Sequence, residues 1–149
     1  MPLFNFTHSL HPTALSLLFD QSLKQGTVGK RIFPFKPTPK FFIVLNKDPQ
    51  ENELLLFLTQ SDPQYALRNT ILKTHLIKTN PHESDAIFYK DCYIDCTTVH
   101  VLERSKLLSE FIYDASILIG ILPGALLAEV KETVMHSILI EQDYQERIC

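Results

Sequence analysis

The amino-acid sequence predicts a mainly β fold with flanking helices, and three features of the chain lead to this prediction. Short apolar runs, rich in β-branched and aromatic residues, fill the middle of the chain. Apolar residues at helical spacing occur before and after them. A length of 149 residues with 45% hydrophobic and 21% charged residues is typical of one globular domain. We therefore predict a single domain, 1–149, with an N-terminal helix at about 11–24, a small β-barrel at about 26–102 and a C-terminal helical part at about 104–140.

The first predicted helix begins near Pro12, because proline is well tolerated in the first turn of a helix. Leu15, Leu18 and Phe19 follow at helical spacing. From Gly26 the sequence "GTVGKRIFPFKPTP" places glycines and prolines where no helix could continue. This stretch is predicted to be extended and bent.

The segment "KFFIVLNKDPQENELLLFLTQS", from Lys40 to Ser61, predicts a β-hairpin. Its two apolar runs, 41–45 and 54–58, do not alternate with polar residues, so both faces of these strands should be covered. Three further strands are predicted at "THLIKT", "AIFYK" and "YIDCTTVHVL", and this spacing of short strands favours a barrel. After Glu103 the pattern becomes helical, and "LPGALLAEVKETVM" is the clearest helix of the chain.

Charge is distributed unevenly along the chain. The formal net charge is −3, but residues 1–80 carry nine Lys and Arg against five Asp and Glu, whereas residues 81–149 carry five against twelve. One acid-free segment contains five of the cations, which are Lys24, Lys30, Arg31, Lys36 and Lys40. Such a segment is either a solvated loop or, if the strands bring the cations together, a surface that binds phosphate groups.

Several classes of protein are disfavoured by the sequence. No apolar run is long enough for a membrane span, and the start lacks the pattern of a secretory signal, so a cytoplasmic protein without a membrane partner is expected. Nucleotide-binding and hydrolase motifs are absent, and no cofactor is predicted. Cys92, Cys96 and His100 recur at every fourth position, but a fourth ligand is missing, so no metal site is predicted. The odd number of cysteines favours reduced thiols.

The order of "GTVGKRIFPF", "KFFIVLN", "ELLLFLTQS", "YIDCTTVHVLERSKL" and "LPGALLAEVKETVMHSIL" resembles the MazF/PemK-like toxins of bacterial toxin–antitoxin systems. The likeness covers roughly residues 26–140 and depends on pattern and order more than on identity. It implies an SH3-like β-barrel, a homodimer, an antitoxin as protein partner and cleavage of single-stranded RNA. An apolar stripe at Leu118, Ile119, Ile121 and Leu122 also favours the homodimer, since it looks too large to remain exposed.

The motif positions of this resemblance supply the predicted site. Lys40-Phe41 stands where the family has Arg-Pro, which keeps the charge but loses the guanidinium fork. Thr59-Gln60-Ser61 resembles the family's Thr-Ser signature, while Asp95 and Thr97 stand where several members place an Arg and an Asp, so that a catalytic acid is displaced or missing. The predicted catalytic residues are Lys40, Thr59, Ser61, Asp95 and His75, and the predicted RNA-binding residues are Lys30, Arg31, Lys36 and Gln60.

Proton transfer is the least defined part of this prediction. His75, His100 and Asp95 are the available groups, and histidine suits proton transfer near neutral pH. His75 is better explained as a half-buried strand residue than as a catalyst. Asp95 is also explained as a residue bonded to turn backbone. Three functions therefore remain open, which are a metal-independent endoribonuclease, a non-cleaving barrel that binds RNA or a protein, and a module that receives only an antitoxin-like peptide.

Overall fold

The computed structural model describes residues 11–82, 87–88 and 90–149. Six strands form one sheet, in the order β4-β5-β3-β2-β1-β6, and every described pair is antiparallel. The strands are β1 (Thr27–Arg31), β2 (Lys40–Val44), β3 (Glu53–Gln60), β4 (Leu76–Lys78), β5 (Tyr93–Glu103) and β6 (Leu118–Ile121). The sheet curls into a half-barrel and is flanked by helices, so the architecture is mixed α and β.

The helices are α1 (Pro12–Ser22), α2 (Gln64–Leu67), α3 (Thr70–Lys73), α4 (Arg104–Tyr113), α5 (Gly124–Met135) and α6 (Gln142–Ile148). A short 3-10 turn at Ala115–Ile117 connects α4 to β6. The helix α1 begins with Pro12 after His11, whose side chain accepts a hydrogen bond from the backbone N–H of Thr13. The part predicted to be helical, at about 104–140, contains the strand β6 between the helices α4 and α5.

The predicted hairpin is present as β2 and β3, with Ile43 opposite Phe57. Successive residues of β3 are buried on alternate faces of the sheet, in two separate clusters. Leu54, Leu56 and Leu58 pack with α1 and α4 on the first face, while Leu55 and Phe57 pack with α5 and α6 on the second face. Because helices cover both faces, the apolar runs need no alternation.

Two of the other predicted strands correspond to β4 and β5. In the predicted strand "AIFYK", Ala86 and Tyr89 lie outside the described residues, and Ile87, Phe88 and Lys90 are not in a strand. The apolar stripe before α5 is largely used within the chain, since Leu118 and Leu122 are buried in the two core clusters. The sequence-based reason for a homodimer is weakened accordingly.

A β-bulge in β5 determines which side chains share a face. Leu56 lies opposite His100 and Leu58 lies opposite Asp95, so five positions on β5 match two on β3. The three extra positions on β5, an odd number, reverse the alternation, which places Asp95 and His100 on the same face although one number is odd and the other even. This face is the one on which Phe42 and Leu58 are buried.

Candidate functional site

A cleft of about 440 Å³ lies where β2 begins and β3 ends. We call it the lysine cleft. It is lined by cations, hydroxyl-bearing side chains and aromatic rings, from Lys30, Lys36, Thr38, Pro39, Lys40, Phe41, Thr59, Gln60, Ser61, Phe88, Lys90, Asp91 and Cys92. Strand pairing explains the convergence, because antiparallel β2 and β3 bring the first residue of one strand beside the last residues of the other.

The charge of the lysine cleft is strongly positive. Among the described residues that line it, four are lysines and one, Asp91, is a carboxylate. Burial is the main cause that raises the pKa of the Cys92 thiol, so Cys92 stays neutral and adds no negative charge. A local excess of three positive charges thus occurs in a chain whose net charge is −3.

Lys40 is the most buried of these lysines. Its Nζ donates hydrogen bonds to the Thr59 carbonyl oxygen at 3.2 Å and to Gln60 Oε1 at 2.6 Å. The pKa of Lys40 is lowered, first by burial and then by the like charge of Lys36, whereas the Asp95 carboxylate acts to raise it. Two of the three N–H donors are used within the chain, which leaves one for a ligand.

Aromatic rings form part of the same cleft. The Nζ of Lys30 lies 4.9 Å from the centroid of the Phe41 ring, and Phe41 packs edge-on against Phe88 at 5.3 Å. The cation–π contact keeps the exposed Lys30 over the cleft.

Asp95 lies close enough to Lys40 to influence its charge, but it does not line the cleft. Its carboxylate accepts hydrogen bonds from the Tyr65 hydroxyl at 2.7 Å and from both the backbone N–H and the hydroxyl of Thr97. His100 lies on the same face, with its ring stacked on Phe35 at 5.6 Å. The pKa of His100 is lowered, chiefly by burial, so its imidazole is neutral near pH 7.

The structure separates the predicted site residues into two groups. Lys30, Lys36, Lys40, Thr59, Gln60 and Ser61 line the lysine cleft together. Arg31 is committed elsewhere, because its guanidinium makes two hydrogen bonds to Glu110, at 2.8 and 2.9 Å. His75 is buried away from the cleft lining, with Nε2 bonded to Ser137 Oγ at 2.6 Å and Nδ1 to the Ile71 carbonyl at 3.0 Å.

Sequence reasoning missed two residues of this region. Lys90 completes the group of four lysines, but it lies in the connection between β4 and β5, where no local pattern distinguishes it. Tyr65 belongs to the short helix α2 and reaches Asp95 across thirty positions of sequence. Neither placement could be read without the tertiary fold.

Cys92, Cys96 and His100, which recur at every fourth position, do not come together as a metal site. Cys96 is buried with the second core cluster, whereas His100 stacks on Phe35 on the opposite face. Within residues 11–82, 87–88 and 90–149, no three His, Cys, Asp or Glu side chains are grouped as metal ligands. The three cysteines are free thiols. No helix in the described ranges has the length and apolar character that a membrane span requires.

Comparisons of the chain with protein-family models, with curated proteins and with solved structures give no match.

Proposed function

We propose that the lysine cleft binds the phosphodiester backbone of single-stranded RNA. The observation that supports this most directly is the convergence of four lysines around a single carboxylate in one cleft. Ammonium groups neutralise phosphates as point charges, and the release of counterions makes this binding favourable and sensitive to salt. The hydroxyl groups of Thr38 and Ser61 add neutral donors at the same surface.

We further propose that the protein is a divergent MazF/PemK-like toxin in the cytoplasm, with its sheet as the SH3-like barrel of that family. The motif positions that carried the resemblance, Lys40 and Thr59-Gln60-Ser61, lie together in the cleft. An antitoxin and a second copy of the chain are the partners that this proposal expects. Co-purification with an acidic protein encoded nearby would support it.

Cleavage of the RNA is a second candidate function, favoured by the electrostatic proximity of Lys40, Asp95 and His100 on one face of the sheet. In such a reaction a base removes the proton of the 2′-hydroxyl as its oxygen bonds to phosphorus, and the ammonium of Lys40 stabilises the charge on the phosphorane. The bond from phosphorus to the 5′-oxygen then breaks, and the protonated base returns the proton to that oxygen. Neutral His100 is the base that this proposal expects, because Asp95 already accepts three hydrogen bonds. The 2′-hydroxyl is the nucleophile, so no metal ion is needed.

The test of binding compares Lys40→Ala with Lys47→Ala. Lys47 is an exposed lysine beyond the other end of β2, outside the cleft lining, so it controls for the loss of one positive charge. We expect Lys40→Ala to weaken binding of a single-stranded RNA by about tenfold, as for the loss of a hydrogen bond to a charged group, and Lys47→Ala to leave it nearly unchanged. Equal effects of the two variants, or wild-type binding that is insensitive to salt, would contradict the proposal.

The test of cleavage uses the same proteins with labelled RNA and a chelator. If the protein is a nuclease, chelator leaves cleavage intact and Lys40→Ala lowers its rate by roughly 10²-fold, as for the loss of one oxyanion donor. Salt-sensitive binding without any cleavage would identify the non-catalytic alternative. If the protein binds no RNA at all, the remaining hypothesis is a module that receives only an antitoxin-like peptide.

A further inference from the structure

A second groove, of about 720 Å³, adjoins the lysine cleft. It lies between the end of β1 and the end of α4, and we call it the tyrosine groove after Tyr113. Lys30 and Pro39 line both the groove and the lysine cleft. The two depressions therefore form one continuous surface, along which an extended strand could pass from one to the other.

The charges of the tyrosine groove differ from those of the lysine cleft. Arg31 is neutralised by Glu110 through their ion pair at 2.8 Å. Asp114 accepts hydrogen bonds from the backbone N–H and the hydroxyl of Ser116. Lys30 is thus the one cation of the described lining without a carboxylate in an ion pair, and it is shared with the cleft. A groove of this kind suits an uncharged part of a ligand and not a row of phosphates.

Two of the side chains that line the tyrosine groove offer large apolar surfaces that are unusually exposed. Tyr113, the last residue of α4, is 94% exposed, and Ile32 beside β1 is 59% exposed. Within the described residues, the Tyr113 side chain makes no ring contact, ion pair or hydrogen bond. A tyrosine offers a large, flat contact surface at low cost in conformational entropy, since few of its bonds rotate.

We infer that the tyrosine groove takes a nucleobase of the strand whose phosphates lie in the lysine cleft, with Tyr113 as the surface on which the base stacks. This inference rests on the proposed function. Proteins that bind single strands combine a cationic groove along the backbone with aromatic side chains that stack on the bases. Here the two parts lie side by side, and Lys30 stands at their junction.

The hydroxyl groups of the groove favour one chemical class of base. The Ser109 hydroxyl donates a hydrogen bond to the Ser105 carbonyl oxygen, and the Ser116 hydroxyl donates one to the Asp114 carboxylate. Both oxygens then present only lone pairs, so they can accept from an exocyclic amino group. Cytosine carries such an amino group, as adenine and guanine do, whereas uracil carries a carbonyl in its place. The groove should therefore prefer an amino-bearing base such as cytosine to uracil.

The experiment uses two probes of similar charge, one with bases and one without. The first is a 2′-O-methyl oligocytidylate of about six nucleotides, a length within the site sizes of single-strand binding folds, which cannot be cleaved through its 2′ position. The second is inorganic polyphosphate. Fluorescence anisotropy of the labelled oligonucleotide, with polyphosphate as competitor, gives both affinities for each variant.

We expect Tyr113→Ala to weaken oligocytidylate binding about tenfold, near the lower end of base–aromatic stacking, and to change polyphosphate binding by less than about twofold. Tyr113→Trp should retain both affinities. Ile138→Ala removes another highly exposed apolar side chain, which lies outside the groove, and should change neither affinity. An oligouridylate should bind the wild type more weakly than the oligocytidylate.

Each contrary outcome has a distinct meaning. Unchanged oligocytidylate binding in Tyr113→Ala, or an equal loss for both probes, would overturn the base site and leave the proposed phosphate binding intact. Equal binding of cytidylate and uridylate would overturn the amino-group preference. A wild type that binds neither probe would overturn the proposed function and this inference together.

Discussion

Asp95, which the sequence predicts to be catalytic, is buried and bonded to its neighbours. Three donors, from Tyr65 and Thr97, occupy its carboxylate oxygens, and only 7% of the residue is exposed. The pKa of Tyr65 is raised, first by burial and then by its bond to Asp95, so the phenol remains a donor. These hydrogen bonds hold the Asp95 carboxylate in place beside Lys40.

Asp95→Asn should change the pH dependence of RNA binding. The Lys40 ammonium, not the amine, attracts phosphate, so binding falls as pH rises through the pKa of Lys40. Asp95 acts to raise that lowered pKa, and its loss should move the fall in affinity to lower pH. At lower pH, where Lys40 is charged in both proteins, the variant should bind equally well or slightly better.

This prediction is measured as the affinity for oligocytidylate between about pH 6 and pH 10 at constant ionic strength. Asp91→Asn is the matched control, because Asp91 lines the cleft but is not among the causes that shift the pKa of Lys40. Its fall in affinity should occur at the same pH as in the wild type. If affinity falls at the same pH in Asp95→Asn as in the wild type, Asp95 does not raise the pKa of Lys40.

Ser137→Ala should destabilise the protein without affecting RNA binding. Both ring nitrogens of the buried His75 have partners, Nδ1 with the Ile71 carbonyl and Nε2 with Ser137 Oγ. Loss of the hydroxyl leaves a buried ring nitrogen without a partner, which costs about 1–3 kcal/mol. Chemical denaturation measures this loss, with Ser16→Ala in α1 as the control. Normal stability combined with weakened RNA binding or cleavage would instead support the catalytic role predicted for His75.

At the scale of elements, Gly29 allows the 3-10 turn to lie against the sheet. A Cβ at this position of β1 would overlap the ring of Phe42 and approach the Ile117 carbonyl oxygen at 2.9 Å. Gly29→Ala should therefore destabilise the fold by about 3 kcal/mol, at the upper end of overpacking effects. Gly124→Ala, with nothing within 4 Å of the added Cβ, should be neutral or slightly stabilising. Similar thermal unfolding of both variants would show that the turn adjusts.

The elements that the sequence predicted are those with a strong local signal. The hairpin has two apolar runs joined by a short polar turn, and β5 is a long run that includes β-branched residues. By contrast, β6 has four residues, includes Gly120 and pairs with β1 across about ninety positions, so nothing local identifies it within a helical region. The helix α6 escaped prediction because five of its seven residues are polar or charged.

At the scale of the whole molecule, the sequence predicted the composition of the site better than its geometry. Six of the nine residues proposed for catalysis and RNA binding line one cleft, because β2 and β3 are adjacent and the segment before β2 folds over their ends. Arg31 lies outside the cleft lining because its guanidinium is bonded to Glu110, a partner 79 positions away that the sequence does not reveal. The faces of Asp95 and His100 depended on a bulge, which strand periodicity does not reveal.

The edge of the sheet offers a surface for self-association of the whole molecule. The strand β6 has one neighbour in the described sheet, β1, and Ile121 on it is 49% exposed. An exposed apolar edge strand is a template for pairing with another chain, and two copies of β6 side by side would give the symmetric contact of a homodimer.

We therefore expect light scattering to show a dimer at micromolar concentrations, and Ile121→Lys to convert it to a monomer, because a lysine on an edge strand opposes pairing. Thermal stability measured below the dissociation concentration should be unchanged, since the side chain is half exposed. Ile71→Lys changes an equally exposed residue outside the sheet and should leave the dimer intact. A wild type that remains monomeric at high micromolar concentration would contradict the homodimer, and a dimer that persists in Ile121→Lys would place the interface on another surface.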